Sequence, residues 1–194
     1  MKRDVYTNKF DSSFLSFEKD IETILRKLFV ESNPYSEVLK RLLVINTKDC
    51  LDNTESQVYK NAIDVMTPAK LIKEGYIRLH PKINMPEHEE VKAYIILSFD
   101  NFSPNANNPK FRDCNVNFDI ICHTDNWDLG DYRLRPLKIA GYIDGLLNEA
   151  KLSGIGTLNF IRLKEQILPN DLSGYSLIYR AVHGSDDFIP SGEL

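Results

Sequence analysis

Little in this sequence suits redox chemistry, membrane anchoring or nucleotide binding. There are three cysteines in 194 residues, Cys50, Cys114 and Cys122, and no pair has the CxxC spacing of a zinc ribbon or a thioredoxin-like site. Cys114 and Cys122 fall on one expected strand, about 26 Å apart when extended, far beyond disulfide reach. Three reduced, mostly buried thiols in a cytosolic protein are therefore expected. The longest apolar runs are four or five residues, so no membrane-spanning helix is expected. The opening stretch, MKRDVYTNKF, carries charge and no apolar segment, so no signal peptide is expected. Charge of one sign is also missing: 24 Lys+Arg stand against 28 Asp+Glu, a net −4. That balance excludes a strongly basic protein held on nucleic acid mainly by counterion release. There is no GxSxG nucleophile elbow and no GxxxxGK[ST] phosphate loop. Gly154-Ile155-Gly156 lacks the third glycine of a dinucleotide fingerprint and precedes a strand rather than a helix.

What is present reads as an ordinary globular chain, 42% hydrophobic and 27% charged, long enough to fold around one core without disulfide or metal. Ile21, Ile24, Leu25, Leu28 and Phe29 recur at one-face helical spacing. Asn33 and Pro34 then cap and open a second helix with the stripe Val38, Leu39, Leu42, Leu43 and Ile45. Asn53-Thr54-Glu55 opens a shorter helix through Met66, and Thr67-Pro68 one more, ended by Gly75. The period then changes from helical to alternating. A short strand at Tyr76 to Leu79 precedes two long ones, about 91–102 and 111–124; a helix from about residue 134 follows, then strands at 156–163 and 175–183. The fold class expected is α+β, a mostly antiparallel sheet packed against a long helix, with a helical N-terminal region. The expected organisation is an arm and helical region at 1–75, a β-β-β-α-β-β core at 76–184 and a C-terminal tail at 185–194.

Candidate chemistry is sparse. Asp119, His123 and Asp125 invite a metal-dependent nuclease or other hydrolase as the alternative function. Asp119 and His123, however, lie about 13 Å apart on one extended strand. An EF-hand starting at Asp125 places Gly130 correctly but puts Trp127, Leu129 and Pro136 at ligand positions. His88 and Glu89 lack the second histidine of HExxH. No cofactor, metal or catalytic residue is assigned. Trp127, the one tryptophan, stands either as an interface anchor or as a residue closing the sheet edge. Arg133 and Arg135 sit at a helix start, the dipole end that disfavours cations. Asp128 and Asp131 are expected to pair with them, within a subunit or across one. Phe10 and Phe14 suggest an N-terminal arm that docks on its own domain or on a neighbouring subunit.

The run Asn117-Phe118-Asp119-Ile120-Ile121-Cys122-His123, then Trp127, Asp131-Tyr132-Arg133, Ile143-Asp144, Gly154-Ile155-Gly156-Thr157-Leu158 and Gly174-Tyr175-Ser176-Leu177-Ile178-Tyr179 has a recognisable cadence. It resembles tail-terminator and related head–tail connector (neck) proteins of tailed bacteriophages. The resemblance implies a non-enzymatic virion protein that forms a ring, caps the tail and joins it to the head. It implies a homo-oligomer, hexameric in the favoured case and twelve-fold for an adaptor, in contact with neighbouring neck and tail-tube proteins. DNA would pass through the lumen without specific binding, no membrane would be involved, and assembly would take place in the host bacterial cytoplasm. The subunit-interface candidates are Trp127, Asp128, Asp131, Arg133, Arg135, Phe10 and Phe14.

Overall fold

The computed structural model describes residues 14, 17–30, 33–80, 91–107, 111–169 and 171–183. Its class is α+β. Helix α1 (Phe17–Phe29) buries Ile24, Leu25, Leu28 and Phe29, the stripe its spacing selects. Helix α2 (Pro34–Val44) opens at the expected cap, with Asn33 Oδ1 accepting the Tyr35 amide at 2.8 Å and Pro34 in the first turn. Helix α3 (Gln57–Asp64) starts later than the Asn53-Thr54-Glu55 signal suggests, capped by Ser56. The reason is tertiary: Arg41 of α2 donates to the carbonyls of Asn53 and Thr54 (3.4 and 3.2 Å), holding those residues outside the helix. Helix α4 (Pro68–Lys73) begins at its Thr67 cap. Gly75 turns left-handed after it (φ +75°), and the Tyr76 amide reaches back to the Leu71 carbonyl at 2.9 Å.

The strands in chain order are β1 (Ile77–Arg78), β2 (Ala93–Pro104), β3 (Arg112–His123), β4 (Lys151–Leu152), β5 (Gly156–Thr157), β6 (Asn159–Ile167) and β7 (Leu172–His183), with helix α5 (Arg135–Leu147) between β3 and β4. Five of them form one sheet in the order β1-β2-β3-β7-β6, parallel only between β1 and β2. β4 and β5 form a separate hairpin that the sequence pattern missed. The strand expected at 156–163 is therefore split. Leu158 is fully buried and its amide bonds the Ala150 carbonyl, so β5 turns back on β4 while β6 starts afresh and runs to Ile167. Strand β7 starts at Leu172, earlier than expected, because the Leu168 amide donates to the Leu172 carbonyl and closes the preceding turn.

The helices cover one sheet face. Ala93, Ile95, Leu97, Cys114, Val116, Phe118, Ile120, Cys122, Leu177, Tyr179 and Ala181 alternate onto that face and join the helices' apolar stripes in one hydrophobic cluster. That cluster runs through the helices before residue 75 and the sheet after it. The three cysteines are buried and unpaired, and burial pushes the thiols of Cys114 and Cys122 up to about 12, so both stay protonated at neutral pH. The other sheet face carries a small cluster of Tyr94, Ile96, Ile121 and Leu172. Beyond it the mixed side of β3 is a polar lattice: Asn115 and Asn117 donate to Asp100 (3.0 and 2.9 Å), and Gln166 donates to Asp119 (2.7 Å). At the far end of the sheet from α5's first turn, His183 hydrogen-bonds the Asp20 carboxylate in a buried pair that ties β7 to α1.

Candidate subunit-contact site at the start of α5

The site is assembled from two loops, residues 46–56 after α2 and 124–134 between β3 and α5. His123 opens the second loop by accepting the Asp125 amide on Nδ1 at 3.2 Å, which starts a single 3-10 turn at Thr124–Asn126. The chain then doubles back. The Leu129 amide donates to the Arg133 carbonyl, the Arg133 amide to Gly130, and the Arg135 amide to Trp127 at 2.7 Å. Asp128 Oδ1 accepts the Gly130 amide at 2.8 Å. This tight return requires left-handed backbone at three successive residues, Gly130 (φ +77°), Asp131 (φ +49°) and Tyr132 (φ +63°). Glycine takes that conformation freely, whereas a tyrosine there is strained.

Charge locks the two loops together. Arg133 makes a bidentate pair with Asp52, both contacts at 2.7 Å, and approaches Asp131 at 3.5 Å. Lys48 pairs with Asp128 at 2.9 Å. The Arg133 guanidinium holds the Asp52 carboxyl below its ordinary value, and the Lys48 ammonium does the same for Asp128.

Arg135 behaves differently from the expectation that an aspartate offsets it. Its side chain is fully buried and its partners are carbonyls: Nε donates to Asn126 (2.8 Å), Nη1 to Leu42 and Ile45 (2.7 and 2.8 Å), and Nη2 to Thr47 (2.8 Å). The first turn of α5 thus supplies the cation that the C-terminal end of α2 favours. Burial pulls the Arg135 pKa below the usual arginine value.

The other sequence candidates are scattered. Trp127 is half-buried against the chain's own core, with its ring 6.1 Å from that of Tyr175. Phe14 packs on Phe102 and His183 at the opposite end of the sheet. Phe10 lies outside the described residues. Of the nuclease residues, His123 and Asp125 lie together, Nδ1 to Oδ2 at 3.6 Å, and Asp119 stands apart from them on β3. Asp119 is held by Gln166, His123 caps the 3-10 turn, and among the described residues no group of three His, Cys, Asp or Glu side chains is placed to hold a metal ion.

Sequence reasoning passed over the surface beside these loops. The outer faces of α2 and α5 leave an open groove of about 700 Å³ walled by Tyr35, Tyr132, Leu137 and Tyr142, with Arg133 and Lys138 as its charged lining and Gly141 and Gly145 as its floor. Tyr132 is fully exposed at its mouth. Both glycines are helical and exposed, and a Cβ added to either meets nothing within 4 Å. Gly141→Ala and Gly145→Ala should therefore each stabilise the fold by about 0.5–1 kcal/mol through helix propensity alone, read as a higher urea midpoint with an unchanged slope.

Residues 36–181 match the family model YomW, which is most of the chain. The chain belongs to the YomW family. The span shared with the YomW model runs from α2 into β7 and takes in both loops, all of α5 and every groove residue except Tyr35. No curated protein matches the sequence. Among solved structures, a chain from the virion of a native gene transfer agent (GTA) particle is similar at 16% identity, over 66% of this YomW-family chain and 92% of that chain, with a TM-score of 0.38.

Proposed function

We propose that this YomW-family chain is a non-enzymatic phage virion structural protein that closes into a ring at the head–tail junction, as tail terminator or neck connector. The observation that carries the reading is the open edge of β6. Among the described residues this nine-residue strand bonds only β7 within the sheet, and its Phe160, Ile161, Leu163 and Ile167 are exposed. A long strand edge that exposes four large apolar side chains is a liability in a monomer and a joint in an assembly. The junction itself is drawn from the resemblance in the stretch from β3 to β7. The net −4 suits a conduit that DNA crosses without being gripped. A surface patch that meets a different patch on the next copy closes a ring when the rotation is right.

The test pairs solution and particle measurements. Light scattering and negative-stain imaging should show closed rings, and virions should contain the chain; cells lacking it should accumulate heads and tails that do not join. A monomer at every salt concentration that is also absent from virions would overturn the proposal.

A further inference from the structure

Helix α5 packs on β3 and β7, and β6 beyond them keeps every residue but Gln166 exposed. Register fixes which of its side chains share the helix-side face. Phe160, Leu163, Glu165 and Ile167 stand opposite Tyr179, Leu177, Tyr175 and Ser173, and Tyr179 and Leu177 belong to the core under the helices. Arg162 and Lys164 stand on the other face. The helix-side face of β6 is thus an apolar row broken by one carboxylate. The α2–α5 groove is its inverse, with tyrosines and Leu137 as walls, Arg133 and Lys138 as charges and no carboxylate in its lining. Arg133 is already committed to Asp52. Among the described residues neither Lys138 nor Glu165 has an ion pair.

Length and charge decide how two copies engage. Leu163 to Ile167 spans about 13 Å of strand, and Leu137 to Gly145 about 12 Å of helix. The strand cannot turn into its own groove. It is bonded to β7 from Asn159 to Ile167, and the Phe160 amide donates to Asn148 just past the end of α5. Antiparallel pairing of β6 with a second β6 is disfavoured by its charges. Centred on Leu163 it sets Arg162 opposite Lys164, and centred on Lys164 or Glu165 it sets that residue opposite its own copy. A contact between two different surfaces avoids both conflicts.

We infer that the helix-side face of β6 in one copy seats in the α2–α5 groove of the next, with Leu163 and Ile167 against Leu137 and Tyr142 and the Glu165 carboxylate on the Lys138 ammonium. The apolar contacts supply the burial, and the single charge pair fixes the register and rejects misaligned copies. Gly141 and Gly145 leave open the space that the strand enters. The contact is head-to-tail, so each copy gives one strand and receives one, and the series closes into a ring. The inference rests on the ring reading and names the two surfaces of its joint.

Charge reversal tests it, because Lys138 and Glu165 are both exposed and their exchange leaves the core untouched. Lys138→Glu and Glu165→Lys are made singly and together in the full chain. Folding is followed by circular dichroism, and assembly by sedimentation velocity and by incorporation into virions. Each single change sets like charges across every joint and should cut the assembled fraction at least about fivefold. The double change should recover at least about half of that loss. Mixing the two single variants should also restore assembly, since each finds its complement in the other; a contact within one chain gives no such rescue. Wild-type assembly by both single variants would overturn the joint and leave the ring reading standing. Losses that neither the double change nor the mixture repairs would also overturn it. Recovery only as closed pairs would mean reciprocal exchange and overturn the head-to-tail order. A wild-type chain absent from virions and monomeric in solution would overturn both joint and ring.

Discussion

Gly174→Ala should be among the most damaging single-methyl changes available in this protein, costing about 3 kcal/mol or more. Gly174 lies in β7 opposite Ile121 of β3 and opposite Gln166 of β6, so backbone flanks it on both sides. A Cβ built there would stand 1.8 Å from the Ile120 carbonyl oxygen and 2.8 Å from its carbon. Neither atom is the end of a flexible side chain. Relief requires the β3–β7 ladder to part, and that ladder is the middle of the sheet. The check is urea denaturation followed by both tryptophan fluorescence and far-UV circular dichroism. A midpoint drop matching that loss, or failure to accumulate as soluble protein, is expected. A change below about 1 kcal/mol would mean that the strands separate without cost, contrary to the close approach. Gly141→Ala and Gly145→Ala are the internal contrast: the same added methyl, with open space around it, is expected to stabilise.

That contrast also shows where sequence stops being readable. Wherever local chemistry decides, the residues announced their structure. Asn33-Pro34 and Thr67-Pro68 started helices where they stand, and Cys114, Val116, Phe118, Ile120 and Cys122 share the buried face that their alternation demands. The errors arose where a distant partner decides. Asn53-Thr54-Glu55 is a good helix opening until Arg41 takes its carbonyls, and Gly156 to Leu163 is a good strand until Leu158 is drawn into the core. At the candidate site the same division holds. The unusual charge of Arg133 and Arg135 at a helix start was visible, and so was the supply of nearby aspartates. Which aspartate was legible only in part: Arg133 approaches the expected Asp131 at 3.5 Å but pairs bidentately with Asp52, 81 residues back, and Arg135 chose carbonyls. Tyr132 carries no local signal for left-handed backbone, and a groove between two helices has no sequence period. Gly141 and Gly145 face open space, with nothing within 4 Å of an added Cβ.

Arg135→Met should cost about 4 kcal/mol, because an apolar chain of similar length leaves the α2 terminus without donors. The wild-type guanidinium satisfies the Leu42, Ile45, Thr47 and Asn126 carbonyls together, in a place with no exposure to water. Each carbonyl stranded in that environment costs about 1–3 kcal/mol, and the loop can rescue some of them by admitting water. Arg135→Lys should lose about half as much. An ammonium keeps the charge that the α2 C-terminus favours, but it cannot place donors along the span from Asn126 to Thr47. The order wild type, Lys, Met is thus the signature of a geometric requirement rather than of charge alone; equal losses for Lys and Met would instead mean that the planar fork is the whole effect. Trp127 is the only tryptophan, and its carbonyl accepts the Arg135 amide, so its fluorescence reads this junction directly. Hydrogen exchange supplies the second measurement. Amides of residues 46–56 should lose protection in Arg135→Met ahead of those in β3 and β7, because the loop is held by the side chain that was removed while the strands hold each other. Since the same loop carries Asp52, the partner of Arg133, its release would also let the Tyr132 turn relax. If the chain assembles as proposed, Arg135→Met should weaken that assembly even at temperatures where the sheet remains folded, because the buried arginine sets the shape of these loops from beneath.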